Sequence, residues 1–207
     1  KFSLILVIIN AIAFISLAVY ILWIYSPELP SYDKIRNYKP NLTSRIYTSD
    51  GLLLKKFYIE ERIFVPINRI PKKLINAFLA AEDKNFYSHI GIDPFAIIRA
   101  GISNLINKFN NRKLIGASTI TQQVVKNLLL SSDVSIERKI KEIILAIRIE
   151  NILTKEQILE LYLNDIYLGK RSYGIASASL NYFDKSLSQL NLQEIAFLAS
   201  LPKAPNN

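Results

Sequence analysis

Residues 71–93 read PKKLINAFLAAEDKNFYSHIGID, and the phase of the charged residues in this stretch sets the reading of the whole chain. Pro71 suits a first helical position, so the pattern predicts a helix from Pro71 to about Ser88. At about 100° per residue, Leu74, Ile75, Phe78, Leu79 and Phe86 fall on one apolar stripe. Glu82 falls in the middle of that stripe and Asp83 at its edge. A carboxylate in such a place is either met by a buried basic partner or desolvated in a cleft, where its pKa rises toward the range of a general acid or base. His89, the only histidine, falls on the same side one turn beyond Phe86. A lone His near a helix end is more often a hydrogen-bonded structural residue than a catalyst. With no cysteine and no second histidine, a His-based metal site and Cys-His catalysis are excluded.

Downstream, a second helix is predicted from Pro94 to about Asn110, with Phe95, Ile98, Ile102, Leu105, Ile106 and Phe109 on one side. It reads either as a core helix or as a surface helix dipping into lipid. Further helices are predicted after Thr119, Ser135, Thr154 and Asn191. Thr119 with Gln122, Thr154 with Gln157, and Asn191 with Glu194 have capping-box spacing. GASTITQQVVKN, residues 116–127, gathers hydroxyls and amides at a helix start. That composition is a good N-cap with a polar surface, or a set of partners for a polyhydroxylated or phosphorylated ligand, since free N–H groups at a helix N-terminus favour anions. In SIERKIKEIILAIRIE, from Ser135, apolar residues fall on two opposite faces. The helix is therefore expected to be buried on both sides, and Arg138 and Glu142, at i,i+4 spacing, to line a cleft. TKEQILELYLND, from Thr154, is apolar around most of its circumference, and its strip of Gln157, Glu160 and Asn164 is expected to be solvated.

Upstream, SRIYTSDGLLLKKFYIEERIFVPI alternates β-favouring residues around Asp50-Gly51, a strong hairpin signal. Residues 26–43 carry three prolines and few aliphatics and read as a juxtamembrane linker. From Phe2 to Tyr25 no residue is charged, a run long enough to cross a hydrocarbon core of about 30 Å. Tyr20, Trp23 and Tyr25 near one end suit an interfacial aromatic belt. An uncleaved anchor is favoured over a signal peptide, because SPELPSYDK follows in place of a small-residue cleavage site. The expected organisation is a transmembrane helix over 1–25, a linker over 26–43 and one mainly α domain with a small β-hairpin over 44–207. The formal net charge of +9 suits an anionic partner such as phosphate, anionic lipid or nucleic acid, and equally a genome rich in Lys, Ile and Asn.

Taken together, EDKNFYSHIGID (82–93), GASTITQQVVKN (116–127), RKIKE (138–142), ILELYLN (158–164) and YGIASASLNYF (173–183) resemble the motifs of the peptidoglycan glycosyltransferases of class A penicillin-binding proteins, glycosyltransferase family 51. The hairpin RIYTSDGLLLKKFY and the terminal LPKAP resemble that family's flanking segments. The resemblance implies a lysozyme-like, two-lobed fold on the extracytoplasmic side of the bacterial plasma membrane. It implies polymerisation of lipid II into β-1,4-linked glycan with inversion and release of undecaprenyl pyrophosphate. It carries the role of base to Glu82, the role of pyrophosphate or metal positioning to Glu142, and the donor-phosphate contacts to Lys126 and Arg138. Ser118, Thr119, Gln122, Gln123 and Lys139 match motif positions on the substrate side, and Asp83, Phe86, His89 and Glu160 match supporting positions. The implied partners are lipid II, the growing strand, the bilayer, a fused transpeptidase domain and other cell-wall synthesis proteins, with no nucleic acid.

This assignment fits the chemistry of the residues. A pyrophosphate leaving group needs charge neutralisation more than protonation, so Lys and Arg can take the place of a general acid. A divalent cation, Mg²⁺ or Mn²⁺, could share the phosphate charge, although the sequence shows no closed ligand set and no organic cofactor motif. Two details depart from the family pattern: Asp184 stands where many relatives have glycine, and Ser179 where a small Ala is common. The rival reading is a muramidase-like hydrolase or lytic transglycosylase on a related fold, with a Glu as acid. The basic cluster and the intact QQVVK segment favour the transferase.

Overall fold

Side chains that take up otherwise free N–H groups fix where the helices begin. Asp93 accepts from Ala96 N ahead of Pro94–Phe109. Thr119, Thr154 and Asn191 form full capping boxes ahead of Ile120–Leu129, Lys155–Asp165 and Leu192–Ser200, and Ser135 caps Ile136–Glu150. All five starts lie where the sequence predicts them.

The computed structural model describes residues 2–27, 29–30, 44–50, 53–57, 61–110, 116–130, 133 and 135–203. Most of the predicted linker and the last four residues lie outside these. In chain order the helices are α1 (Phe2–Tyr25), α2 (Lys72–Glu82), α3 (Pro94–Phe109), α4 (Ile120–Leu129), α5 (Ile136–Glu150), α6 (Lys155–Asp165), α7 (Ile175–Phe183) and α8 (Leu192–Ser200). Strands β1 (Ser44–Tyr47) and β2 (Leu53–Phe57) pair antiparallel, with an irregularity between Ile46 and Tyr47; Gly51 of the predicted turn lies outside the described residues. Strands β3 (Glu61–Arg62) and β4 (Ser172–Tyr173) form a short parallel pair. The molecule is mainly helical, with α1 as one candidate membrane span over Ile5–Tyr25.

The core is built on α4, which packs against α5 on one side and α6 on the other, while α2 packs on α8. Leu74 and Phe78 of α2, Ile120, Val124 and Val125 of α4, Leu145 and Ile149 of α5, Ile158 and Leu163 of α6 and Leu198 of α8 are all buried in it. Helix α5 is buried on both of its predicted apolar sides at Ile144, Leu145, Ala146 and Ile149. Its C-terminal end meets the chain just beyond α1, where Arg148 Nη2 donates to Ser26 Oγ.

Three expectations need correction. Helix α2 ends at Glu82, not near Ser88: Asp83 leaves helical geometry at φ −155°, and residues 84–88 form turns. Asp83 departs because its carboxylate is engaged by groups far along the chain, described below. Second, α3 is no core helix. Only Ala100 is buried, while Phe95, Ile98, Ile102, Leu105, Ile106 and Phe109 are exposed, Phe109 by 89%. Third, the α6 strip is not solvated throughout. Asn164 is buried, donates to Val65 O (2.9 Å) and accepts from Val65 N (2.8 Å), and Glu160 Oε2 accepts from Ile67 N (2.6 Å). These bonds pin the extended chain ahead of α2 to α6. Gln157 alone of the strip is exposed, and it serves the capping box.

Candidate active site

The site begins where α2 stops. Glu82 is its last residue, and its carboxylate points toward α4, where Gln123 Nε2 donates to Oε2 at 3.0 Å. The other oxygen, Oε1, is buried and has no hydrogen-bond partner among the described residues. Among the described residues no cation is paired with Glu82, so none of them is the buried basic partner that the sequence allows. Glu82 is thus a half-buried carboxylate held by one neutral amide donor, with one oxygen uncommitted among the described residues.

Asp83, the adjacent carboxylate, is committed. Its Oδ2 accepts from Ile120 N (2.9 Å), the first N–H of α4, and from His89 Nε2 (2.9 Å). Negative charge at a helix N-terminus is favourable. His89 Nδ1 in turn accepts from Gly91 N (3.1 Å), which leaves Nε2 as the donor to Asp83. Phe86 is buried and meets the imidazole edge-on at 6.0 Å, and Lys155 Nζ lies over the Phe86 ring, 4.6 Å from its centroid. Lys155 also donates to His89 O (2.7 Å) and to Glu150 Oε1 (2.7 Å), which accepts from Thr121 Oγ1 as well (2.6 Å). The loop 83–91 is thus fastened at several points to α4, α5 and α6. Gly91 permits its closest approach: at φ +96°, a Cβ there would stand 2.6 Å from Ala146 O of α5.

This fastening changes the reading of residues 116–123. Thr119 Oγ1 donates to Gly91 O (2.6 Å) and accepts from Gln122 N (3.2 Å), while Gln122 Oε1 accepts from Thr119 N (2.9 Å). Both side chains are buried and consumed by the cap, so they position the helix and do not present groups to a ligand. The α4 N-terminus is likewise occupied by Asp83 and is no open anion site. Gln123 and Ser118 remain at the site. Gln123 holds Glu82, and one turn further on the same face Lys126 projects, exposed.

The second carboxylate has the opposite character. Glu142 of α5 is 2% exposed, and its oxygens are shared between two cations: Arg138 Nη1 donates to Oε2 (3.2 Å) and Lys139 Nζ to Oε1. Lys139 Nζ also donates to Ser118 Oγ (2.8 Å), tying the cluster to the loop before α4. A buried acid holding two partly exposed cations fixes where their remaining N–H groups aim. Both oxygens of Glu142 are taken, and no three carboxylates or imidazoles converge among the described residues. The described residues do not fit a divalent cation held by the protein alone.

A family model described as Transglycosylase matches residues 50–207. This chain belongs to the transglycosylase family. Penicillin-binding protein 1A of Rickettsia prowazekii (strain Madrid E) is 53% identical over 191 residues, 92% of this chain and 24% of that protein. Penicillin-binding protein 1A of Aquifex aeolicus (strain VF5) is 46% identical over 192 residues, 93% of this chain and 26% of that protein. The chain therefore spans about a quarter of the length of these relatives. A crystal structure of penicillin-binding protein 1A from Haemophilus influenzae aligns over 81% of this chain and 15% of its own, at 29% identity and a TM-score of 0.38. Membership makes the chain a peptidoglycan glycosyltransferase domain of the class A penicillin-binding protein type.

Sequence reasoning missed three residues that surround this candidate site. Lys155 and Glu150 bind the 83–91 loop from α6 and α5, a link across the fold that no local pattern encodes. Tyr162 of α6 is 1% exposed, its ring edge-on to Phe78 of α2 at 6.4 Å, and its hydroxyl has no partner among the described residues. Burial, and after it the charges of Glu82 and Asp83, push the Tyr162 hydroxyl well above the usual phenol range. Its position in ILELYLN reads as core, and only the unpartnered oxygen marks it as more.

Proposed function

We propose that this domain polymerises lipid II by inverting glycosyl transfer, with Glu82 as the base. The carrying observation is the contrast between the two carboxylates: among the described residues Glu82 pairs with no cation, and Glu142 pairs with two. In this reading Glu82 takes the proton of the acceptor's sugar hydroxyl as its oxygen attacks the anomeric carbon of the donor. The bond to the pyrophosphate oxygen breaks on the opposite face, which inverts the centre. The pyrophosphate leaves as a stabilised anion, so no acid is required; Lys126, Arg138 and Lys139 meet its charge. Gln123 orients Glu82, and Asp83, His89 and Thr119 hold the loop and helix that carry the two residues.

The same reading places the domain outside the cytoplasm in a lysozyme-like, two-lobed arrangement, tethered by α1, with the exposed apolar face of α3 dipping into the bilayer from which a polyprenyl substrate is drawn. It fits a longer protein with a fused transpeptidase domain. The test is incubation of the purified anchored protein with labelled lipid II. Polymer that a muramidase can digest supports the transferase; soluble fragments from finished peptidoglycan, with no polymer from lipid II, would establish the hydrolase instead.

A further inference from the structure

Two buried polar atoms, Oε1 of Glu82 and the hydroxyl of Tyr162, lack partners among the described residues. Phe78, which touches the Tyr162 ring edge-on, lies one turn before Glu82 on α2, and Tyr162 sits on α6, packed against the α4 helix whose Gln123 holds the other oxygen of Glu82. The phenol ring thus lies against a residue of α2, which carries the base, and its own helix packs on α4, which carries the amide partner. The effect of the Glu82 charge on the Tyr162 hydroxyl is consistent with that placement. A buried donor and a buried acceptor left open in one small region are the usual setting for one ordered water.

We infer that Tyr162 is a positioning residue for the base, its hydroxyl donating through one bridging water to Glu82 Oε1, so that Oε2 is the oxygen that takes the substrate proton. This rests on the reading of Glu82 as base. The bridge has two effects. It stabilises the ionised carboxylate that the reaction needs, and together with Gln123 it fixes the plane of the carboxylate from both ends. Oε1, shielded from solvent, cannot reach a substrate hydroxyl, whereas Oε2 already engages a side chain at the site.

The other charged groups around the pair are already engaged or face outward. Asp83 is bonded to His89 and the α4 N-terminus, Glu160 of α6 to Ile67 N, and Arg138 and Lys139 of α5 to Glu142. Lys126 of α4 is exposed. None of these groups loses a partner when the phenol hydroxyl is removed.

The experiment is the pH profile of kcat/KM for lipid II polymerisation by the anchored protein, wild type against Tyr162→Phe. Removing a donor to an ionised carboxylate raises its pKa, so the acidic limb moves up by about one pH unit, a tenfold loss on that limb. The alkaline plateau stays within about threefold and the Tm is unchanged, since the lost hydroxyl held no partner among the described residues. A merely structural role lowers the plateau and leaves the limb in place, and that result overturns the inference. If the Phe variant does not fold, 4-fluorophenylalanine at position 162, which keeps the ring's length without a donor, is read the same way. Glu82→Gln separates the two claims: if it is inactive while the Tyr162→Phe limb is unmoved, only the inference fails. If Glu82→Gln keeps wild-type rates, the base assignment fails and takes this inference with it.

Discussion

Replacing Glu142 by Gln removes the charge from a carboxylate that holds two cations. Arg138 Nη1 donates to one oxygen at 3.2 Å and Lys139 Nζ to the other. The amide keeps the shape but offers one acceptor, and turns its NH₂ group toward the second cation, donor against donor. Removing one partner of a fully buried ion pair costs about 3–5 kcal/mol. Here the Arg138 and Lys139 side chains are 17% and 42% exposed, so water recovers part of the loss and about 1–3 kcal/mol remains. At about 2–4 °C per kcal/mol for a domain of this size, the Tm falls by roughly 2–12 °C. The same substitution at Glu82 breaks no ion pair among the described residues and exchanges a half-buried charge for an amide, so its Tm stays within about 2 °C of wild type or rises. Calorimetry of both variants of the anchored protein in one detergent makes the comparison. Equal Tm values, or a larger fall for Glu82→Gln, would refute the division between a paired and an unpaired carboxylate on which the function rests.

Three further perturbations probe other parts of the account. Gly91→Ala places a Cβ against Ala146 O at φ +96°, and chemical denaturation should show a loss of about 2–4 kcal/mol. Ala146→Gly does not rescue it, because the clash is with backbone. The Ala96 N–H, and next the Asn85 amide, hold the Asp93 carboxyl below its usual range, so its folded pKa lies under the unfolded value. That contribution is full above an unfolded pKa of about 3.8 and is lost as pH falls through the folded value; Asp93→Asn should flatten that segment of a stability-against-pH curve, and an unchanged slope would remove Asp93 as its source. Finally, Trp23→Phe with Ile102→Trp leaves one indole on the exposed face of α3. In liposomes carrying brominated lipids its fluorescence should be quenched, and full emission would show that this face stands clear of the bilayer.

The sequence carries most of the helix framework because caps are local. Thr119 with Gln122, and Thr154 with Gln157, act within four residues, and both boxes form as their spacing predicts. What escaped were contacts that couple distant segments. Helix phase alone carries the apolar stripe through to Phe86, yet Asp83 leaves the helix to bond Ile120 N and His89, and these pull the chain into turns. The same blindness made Thr119 and Gln122 look available for a ligand when Gly91 O and their own cap consume them. It also made Glu160 and Asn164 look like a wet strip when they bind the segment at Val65 and Ile67. The structure adds a different reason for the proposed ranking of Glu82 over Asp83 and His89. Periodicity placed Glu82 at the centre of a stripe; the structure leaves it held by one neutral amide donor, whereas Asp83 and His89 bond each other.

The central claim is that Glu82 removes a proton in the transfer step. The most direct measurement is the steady-state rate of lipid II polymerisation by Glu82→Gln beside wild type, in the same preparations whose Tm values are compared above. A positioned general base contributes about 10²–10⁴-fold, so the variant should be folded, bind substrate and lose at least about 10² in kcat. A folded Glu82→Gln protein that polymerises within about threefold of wild type would contradict the account, and the proton would have to leave by another route.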